Sequence, residues 1–282
     1  PTLAMIARRE EQIRQFVPKP YYGLSMRAEG VRFQWKDEKS HSAQSFDKER
    51  VQKLFDGLKG KEAVISSVKK APKRTEAPLL YDLTELQREA SRRYDYSAKE
   101  TLNIMQRLYE NHKVLTYPRT DSRYLTADIL PTIKERLRAC SIGPYKLLAG
   151  RLINQPLPAK PSFVNDKKVS DHHAIIPTEQ FVQFDHMTID ERRIYDLVVR
   201  RFLAVLYPAC EYEQTEITVR AGEELFTAHG NVIKTAGWKA VYENLDGGIE
   251  ADPEDAGGDG SSAAGQILPD LKEGDVLQGI SF

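Results

Sequence analysis

The residues of this chain best suited to chemistry lie at 115–122, where the sequence reads Leu-Thr-Tyr-Pro-Arg-Thr-Asp-Ser. Tyr117 stands two positions before Arg119, with further hydroxyls and a carboxylate nearby. A free tyrosine has a pKa of about 10, so it needs a nearby cation or base to act as a nucleophile at neutral pH. The planar fork of an arginine can hold two phosphate oxygens while negative charge builds on them. The segment therefore predicts a tyrosine that attacks phosphate.

An ordinary surface turn is the alternative for this segment, because Pro, Asp and Ser are common turn residues. Two other segments count against it: 97–110, which precedes the tyrosine, and Ser-Asp-His-His-Ala-Ile-Ile-Pro-Thr at 170–178. In this order, the three segments resemble the type IA DNA topoisomerases. Further similarity to that family lies at 1–18 and at 81–90, and the resemblance extends to about residue 245.

Within this family, the Pro that follows the tyrosine and the Ile-Ile-Pro-Thr that follows the histidines are more similar to topoisomerase III than to topoisomerase I. The resemblance implies that Tyr117 attacks a phosphodiester of single-stranded DNA. It becomes joined to the 5′ phosphate and releases a 3′ hydroxyl. Because the covalent link preserves the bond energy, the 3′ hydroxyl can reverse the reaction without a nucleotide fuel.

The same resemblance assigns roles to other residues. Arg119 would bind the scissile phosphate, and His172 would contact a phosphate oxygen or supply a proton near neutral pH. His173 would be secondary. Taken alone, a Ser-Asp-His-His run is more typical of a surface or cap cluster. Asp121 and Ser122 would support the loop or contact DNA. Further DNA contacts are predicted for Arg8, Arg9, Ser170, Asp171 and Thr178.

Two other function classes stay open. A relaxase or replication initiator also uses a tyrosine on DNA, but it pairs the tyrosine with two histidines that flank an apolar residue and bind metal. The adjacent His172 and His173 fit that arrangement poorly. A non-catalytic module that binds single-stranded DNA is the alternative outside the enzymes.

Size and composition bound the class of protein. A chain of 282 residues with 40% hydrophobic residues predicts a soluble globular protein of about two domains. No apolar run approaches the roughly 20 residues that span a bilayer, and no secretion signal is recognisable at the first residues. Cys140 and Cys210 are isolated, which indicates reduced, semi-buried residues and no Cys-x-x-Cys metal pair.

Charge is unevenly distributed although the net charge is zero. Residues 243–275 hold ten acidic residues and one lysine, which leaves an excess of nine positive charges on the rest of the chain. Basic surface is what binding to a phosphate backbone requires. The expected partner is single-stranded DNA. The expected protein is a monomer without membrane contact, in the cytoplasm at the nucleoid.

Local patterns place the motifs on secondary structure. A helix is predicted at 2–16, and alternating apolar residues around Glu29-Gly30 predict a β-hairpin. A strand at 62–68 precedes a basic connector at 69–74, with a domain boundary near residue 77. The next region is helical, since it contains three capping-box patterns, at Thr84 and Gln87, Ser97 and Glu100, and Thr188 and Glu191. Strands return after Pro208, with turns expected at Gly222, Gly230 and Gly237.

The predicted fold class is α+β and multidomain. A strand-rich arch, discontinuous in sequence, carries a mainly helical insert with the tyrosine, as the resemblance implies. The predicted limits are 1–20 for a helical part of a DNA-binding base domain, 21–77 for the first part of the arch, 78–207 for the helical domain and 208–282 for the returning arch. Residues 246–265 are predicted to form a flexible loop.

The resemblance also implies Mg²⁺, bound in the family by an acidic domain that precedes the residues seen here. No Asp-x-Asp-x-Glu cluster occurs in this sequence, so no metal is expected to bind to it. We therefore expect the chain to be a fragment that holds the nucleophile without the metal site and lacks full turnover by itself.

Overall fold

The computed structural model describes residues 1–156, 162–243, 266 and 268–282. This part of the chain combines helices with one five-stranded sheet, which confirms the predicted α+β class. The α-helices are α1 (Thr2–Gln15), α2 (Lys48–Leu58), α3 (Leu83–Tyr94), α4 (Ala98–Glu110), α5 (Ile133–Cys140), α6 (Lys146–Ile153) and α7 (Ile189–Leu206). The strands are β1 (Ser25–Ala28), β2 (Val31–Lys36), β3 (Ala63–Thr75), β4 (Cys210–Ala221) and β5 (Glu224–Thr235). Short 3-10 helices cover Ala127–Thr132, Gly143–Tyr145, Asp166–Lys168, Phe184–His186 and Gly237–Val241.

Two compact units divide the chain. The first comprises Pro1–Pro72, Glu213–Val232 and Ser261–Phe282, and the second comprises Lys73–Tyr212 and Ile233–Gly260. The strand-rich first unit is therefore discontinuous in sequence, in agreement with the predicted fold class. The domain limits given above stay predictions.

The first unit is built on the predicted hairpin. Strands β1 and β2 pair antiparallel, with Met26 opposite Phe33. The turn uses Glu29 and Gly30 at φ of 51° and 74°, a left-handed conformation that glycine adopts freely. Strand β2 then pairs with β5, and the sheet order is β1-β2-β5-β4-β3. Alternate residues of β2, including Trp35, are buried because successive side chains of a strand point to opposite faces.

The second unit is a helical body. The apolar stripes predicted for α4 and α7 lie in its core, since Ile104, Leu108, Ile194 and Val198 are all buried. Both helices start with a capping box, as predicted. The bonds between the cap side chains and the backbone fix the residue at which α4 begins. The helix in turn leads into the segment that carries Tyr117.

Three expectations about local structure are wrong. The connector at 69–74 is part of strand β3, which lies at the edge of the sheet, where exposed lysines and the missing N–H of a proline are tolerated. Thr84 does not cap α3, because Asp82 accepts the hydrogen bond from the Glu85 N–H at 2.7 Å. Gly230 lies inside β5 and makes no turn. A Cβ there would lie 2.6 Å from Leu268, so this glycine allows a close approach.

Other expectations concern burial and the acidic region. Cys140 and Cys210 are free, as predicted, but both are fully buried instead of semi-buried. Burial raises the pKa of the Cys140 thiol to about 12. The loop predicted at 246–265 lies outside the described residues. No helix in the described part of the chain is long and apolar enough to cross a bilayer.

Candidate active site

The segment that follows helix α4 and carries the nucleophile forms a short hydrogen-bonded ladder with the histidine motif. After the helix ends, Lys113 takes a left-handed φ of 57° and turns the chain. The Thr116 N–H then donates to the Ile176 carbonyl, and the Thr178 N–H donates to the Val114 carbonyl, both at 3.0 Å. On the other side of this ladder, the Ile175 N–H donates to the carbonyl of Tyr81, which precedes α3, at 2.8 Å. The two motifs separated in sequence are thus hydrogen-bonded to each other.

This pairing brings the rings of Tyr117 and His172 together. Their centroids lie 4.3 Å apart with the planes tilted by 41°. Tyr109, from the last turn of α4, packs edge-on against Tyr117 with centroids 5.6 Å apart. Tyr117 is half-buried and His172 is exposed. The phenol is therefore held by rings on two sides at a surface that a polymer can reach.

Charged side chains near this cluster in sequence are exposed. Arg119, Asp121 and Asp171 are solvent-accessible, as is Ser170. Within the described residues, none of the four side chains makes a hydrogen bond or an ion pair. A guanidinium that no protein group neutralises is available to bind a phosphate.

The two adjacent histidines have different environments. His173 is half-buried, and its Nδ1 lies 2.7 Å from the Ala174 carbonyl oxygen. Because a carbonyl can only accept, Nδ1 donates. Burial lowers the pKa of His173, so this ring is neutral at neutral pH. The ring that faces Tyr117 is His172, the one selected from the sequence; its role in catalysis stays a prediction.

Two predicted DNA-contacting hydroxyls are used inside the protein. Ser122 is buried and its Oγ donates to the Lys168 carbonyl at 2.8 Å. The Ser122 hydroxyl thus supports the loop, one of the two roles expected for it, and its contact with DNA stays a prediction. Thr178 donates its hydroxyl to the Lys113 carbonyl at 2.6 Å and so supports the ladder.

The predicted DNA contacts of Arg8 and Arg9 stay predictions. Both side chains are exposed on α1, which belongs to the first unit. Tyr117, Arg119 and His172 belong to the second unit.

Sequence reasoning missed several residues of the site. Tyr109, which touches the phenol ring, lies in the segment 97–110, and the resemblance assigns it no role. Arg136 on α5 is buried and donates to the Pro177 carbonyl at 2.8 Å and to Glu179 at 2.7 Å. Burial lowers the pKa of Arg136. The hydroxyls of Thr116 and Thr120 flank the nucleophile, and the sequence motifs assign them no role of their own. The partners of Arg136, Thr116 and Thr120 are distant in sequence, and no local pattern indicates that the Tyr109 ring contacts the Tyr117 ring.

Comparison with known proteins identifies the family of the chain. A sequence profile of the family described as DNA topoisomerase matches residues 1–281. The chain is 50% identical over 280 residues to DNA topoisomerase 3 of Bacillus cereus (strain ATCC 10987 / NRS 248), covering 98% of this chain and 37% of that protein. It is 46% identical over 277 residues to DNA topoisomerase 3 of Bacillus subtilis (strain 168), with the same two coverages of 98% and 37%. The chain thus spans little more than a third of the length of these relatives.

A solved structure shows the same fold. Full-length topoisomerase I from Thermotoga maritima superposes with a TM-score of 0.69, over 99% of this chain and 42% of that one. The sequences are 21% identical, so this likeness supports the fold alone.

Proposed function

Since the chain belongs to the type IA DNA topoisomerases, we propose that it is the part of a topoisomerase III-like enzyme that carries the strand-cleaving tyrosine. Within that enzyme, Tyr117 cleaves and rejoins single-stranded DNA through a 5′-phosphotyrosine link, and another strand passes through the gap. The observation that carries the proposal is the contact of Tyr117 with His172, 4.3 Å between ring centroids, on an accessible surface.

The proposed reaction exchanges one phosphoester for another. The Tyr117 oxygen forms a bond to phosphorus, the bond from phosphorus to O3′ breaks, and O3′ receives a proton in place of the one that the phenol loses. Arg119 binds the non-bridging oxygens, which gain charge in the transition state. His172 binds a phosphate oxygen or moves the proton. Rejoining is the same path in reverse.

Mg²⁺ does not fit the residues described here. In the described part of the chain, no group of three or more His, Cys, Asp and Glu side chains could hold a metal ion. No step proposed for this chain runs through a metal, and we propose that the ion which the family uses is bound by other parts of the full-length enzyme. We also propose a monomeric, cytoplasmic protein that acts on DNA at the nucleoid.

The polarity of the covalent link provides the test. Full-length enzyme is mixed with single-stranded oligonucleotides labelled at the 3′ or the 5′ end, and adducts are trapped with denaturant. A 5′-phosphotyrosine link predicts that only the 3′ label becomes attached to protein, while the 5′ label leaves as a shorter strand.

Two variants complete the design. Tyr117→Phe removes the reactive oxygen and should abolish the adduct while DNA binding persists. Tyr109→Phe keeps the neighbouring ring and should retain the adduct. Binding without any adduct in the wild-type enzyme would favour the non-catalytic DNA-binding module, and an adduct in Tyr117→Phe would assign another nucleophile.

A further inference from the structure

The Tyr117 loop carries a buried hydroxyl that reaches the backbone of the histidine opposite. Thr120 is 7% exposed, and its Oγ1 donates to the His172 carbonyl oxygen at 2.8 Å. The same oxygen accepts from the Ser122 N–H at 3.1 Å. The Thr120 carbonyl in turn accepts from the Leu83 N–H at 3.0 Å. The hydroxyl thus donates one hydrogen bond and accepts one, and the backbone bond to Leu83 helps to fix its residue.

His172 has few other restraints. Across the described residues, the bond from Thr120 is the single hydrogen bond that His172 makes, and its side chain is exposed. Its ring is otherwise in contact with the Tyr117 ring. An exposed imidazole with a mobile backbone would sample many positions. The hydrogen bond from Thr120, three residues after the nucleophile, restricts the movement of the His172 backbone.

Thr116 acts on the same segment from the other side of Tyr117. Its Oγ1 accepts from the Ile176 N–H at 3.0 Å and lies 3.4 Å from the Ala174 carbonyl oxygen. The two threonines therefore bind alternate residues of one extended segment, at 172, 174 and 176. Because both hydroxyls belong to the loop that carries the phenol, a shift of the loop moves the imidazole with it.

We propose that Thr120 is a positioning residue that sets the His172 ring against Tyr117, with Thr116 as its counterpart on the preceding side of the nucleophile. This inference rests on the proposed strand-cleaving function for its catalytic consequence. The geometric part concerns the protein alone and can be tested without DNA.

The first experiment measures the position of the imidazole. In protein labelled with ¹³C at histidine Cε1, the His172 resonance is assigned with His172→Ala. The ring current of Tyr117 displaces this resonance, and Tyr117→Leu gives the value without that ring. Thr120→Val, which replaces the hydroxyl by a methyl group of similar size, should move the resonance toward the Tyr117→Leu value. Thr120→Ser should leave it in place.

A matched control is available on α4. Thr101 is buried like Thr120, and its Oγ1 donates to the Ser97 carbonyl at 3.0 Å. Thr101→Val removes the same kind of hydrogen bond and should leave the His172 resonance unchanged. If Thr120→Val does not fold, Thr120→Ala takes its place, since it removes the hydroxyl without adding bulk. An unchanged His172 resonance in the folded variant overturns the proposal.

The second experiment measures single-turnover cleavage by the full-length enzyme. Misplacing a reacting group by about 1 Å can cost about 10²-fold, so we expect Thr120→Val to slow cleavage by about 10-fold or more, with rescue by Thr120→Ser and unchanged DNA affinity. In a His172→Ala background, Thr120→Val should add almost no further loss. An equal loss in both backgrounds means that the hydroxyl acts independently of His172 and overturns the proposal. If the wild-type enzyme forms no adduct, the proposed function fails, and the resonance experiment still decides the positioning.

Discussion

Replacement of Arg119 separates the charge of the site from its geometry. Arg119 is exposed and, among the described residues, has no hydrogen-bond or ion-pair partner. Its removal therefore breaks no hydrogen bond or ion pair among the described residues, and surface changes of this kind alter the free energy of unfolding by about 0.5 kcal/mol or less. A large loss of cleavage rate in an Arg119 variant would therefore report on the reaction and not on the stability of the fold.

The expected magnitude follows from the shape of the side chain. Arg119→Lys keeps the positive charge but loses the planar fork that binds two phosphate oxygens. Loss of one donor to a developing oxyanion costs about 2.7–4 kcal/mol, which corresponds to about 10²–10³ in rate. Arg119→Ala also loses the charge and should be slower still. Each phosphate contact adds about 0.7 to the slope of log affinity against log salt for single strands, so only Arg119→Ala should lower that slope.

The assay is single-turnover cleavage of a 3′-labelled oligonucleotide by the full-length enzyme, with binding measured at several salt concentrations. Arg138→Lys is the matched control, because Arg138 is an exposed arginine of the same unit. Cleavage by Arg119→Lys at the wild-type rate would refute the bidentate reasoning and show that charge alone suffices. An unchanged rate in Arg119→Ala would remove this residue from the site.

Three further predictions concern histidine identity, a buried charge and a helix cap. His172→Ala should slow single-turnover cleavage at least about 10²-fold, the contribution of a positioned acid or base, and much more than His173→Ala. Glu191 is buried; burial by itself raises the pKa of its carboxyl, but the hydrogen bonds that it accepts lower the pKa below its usual range. Glu191→Gln should therefore lower the free energy of unfolding by about 1–3 kcal/mol at neutral pH, and denaturation at several pH values should show this difference vanishing as pH falls below about 4. Asp82→Ala should cost about 1 kcal/mol in thermal unfolding, whereas Thr84→Ala should be nearly neutral.

Each of these outcomes has a clear opposite. Equal effects of the two histidine variants would mean that the ring contact with Tyr117 has no catalytic role. A stability difference between Glu191→Gln and wild type that stays constant down to pH 3 would show that the carboxylate charge is not what stabilises the native state. A larger loss from Thr84→Ala than from Asp82→Ala would restore the capping box predicted from sequence.

Some features could be read from the sequence because they depend on neighbours along the chain. The hairpin at Glu29 and Gly30, and the capping boxes that begin α4 and α7, follow from local backbone preferences and from side chains three residues apart. The family assignment is of the same kind, since it rests on short motifs in a fixed order, and the comparisons confirm it.

The tertiary structure decided what lies against what. Nothing along the chain indicates that Tyr109 packs on Tyr117, that Arg136 is buried beneath the ladder, or that the Thr120 hydroxyl ends on the His172 carbonyl. The strand extending through 69–74 was missed for the same reason, since its hydrogen-bond partners come from a distant stretch of chain. The hydrophobic periodicity of a sequence indicates only which residues are buried, and it does not identify the residues that they contact. The contact of Tyr117 with His172 and the hydrogen bond from Thr120 form only because segments some fifty residues apart fold into one ladder.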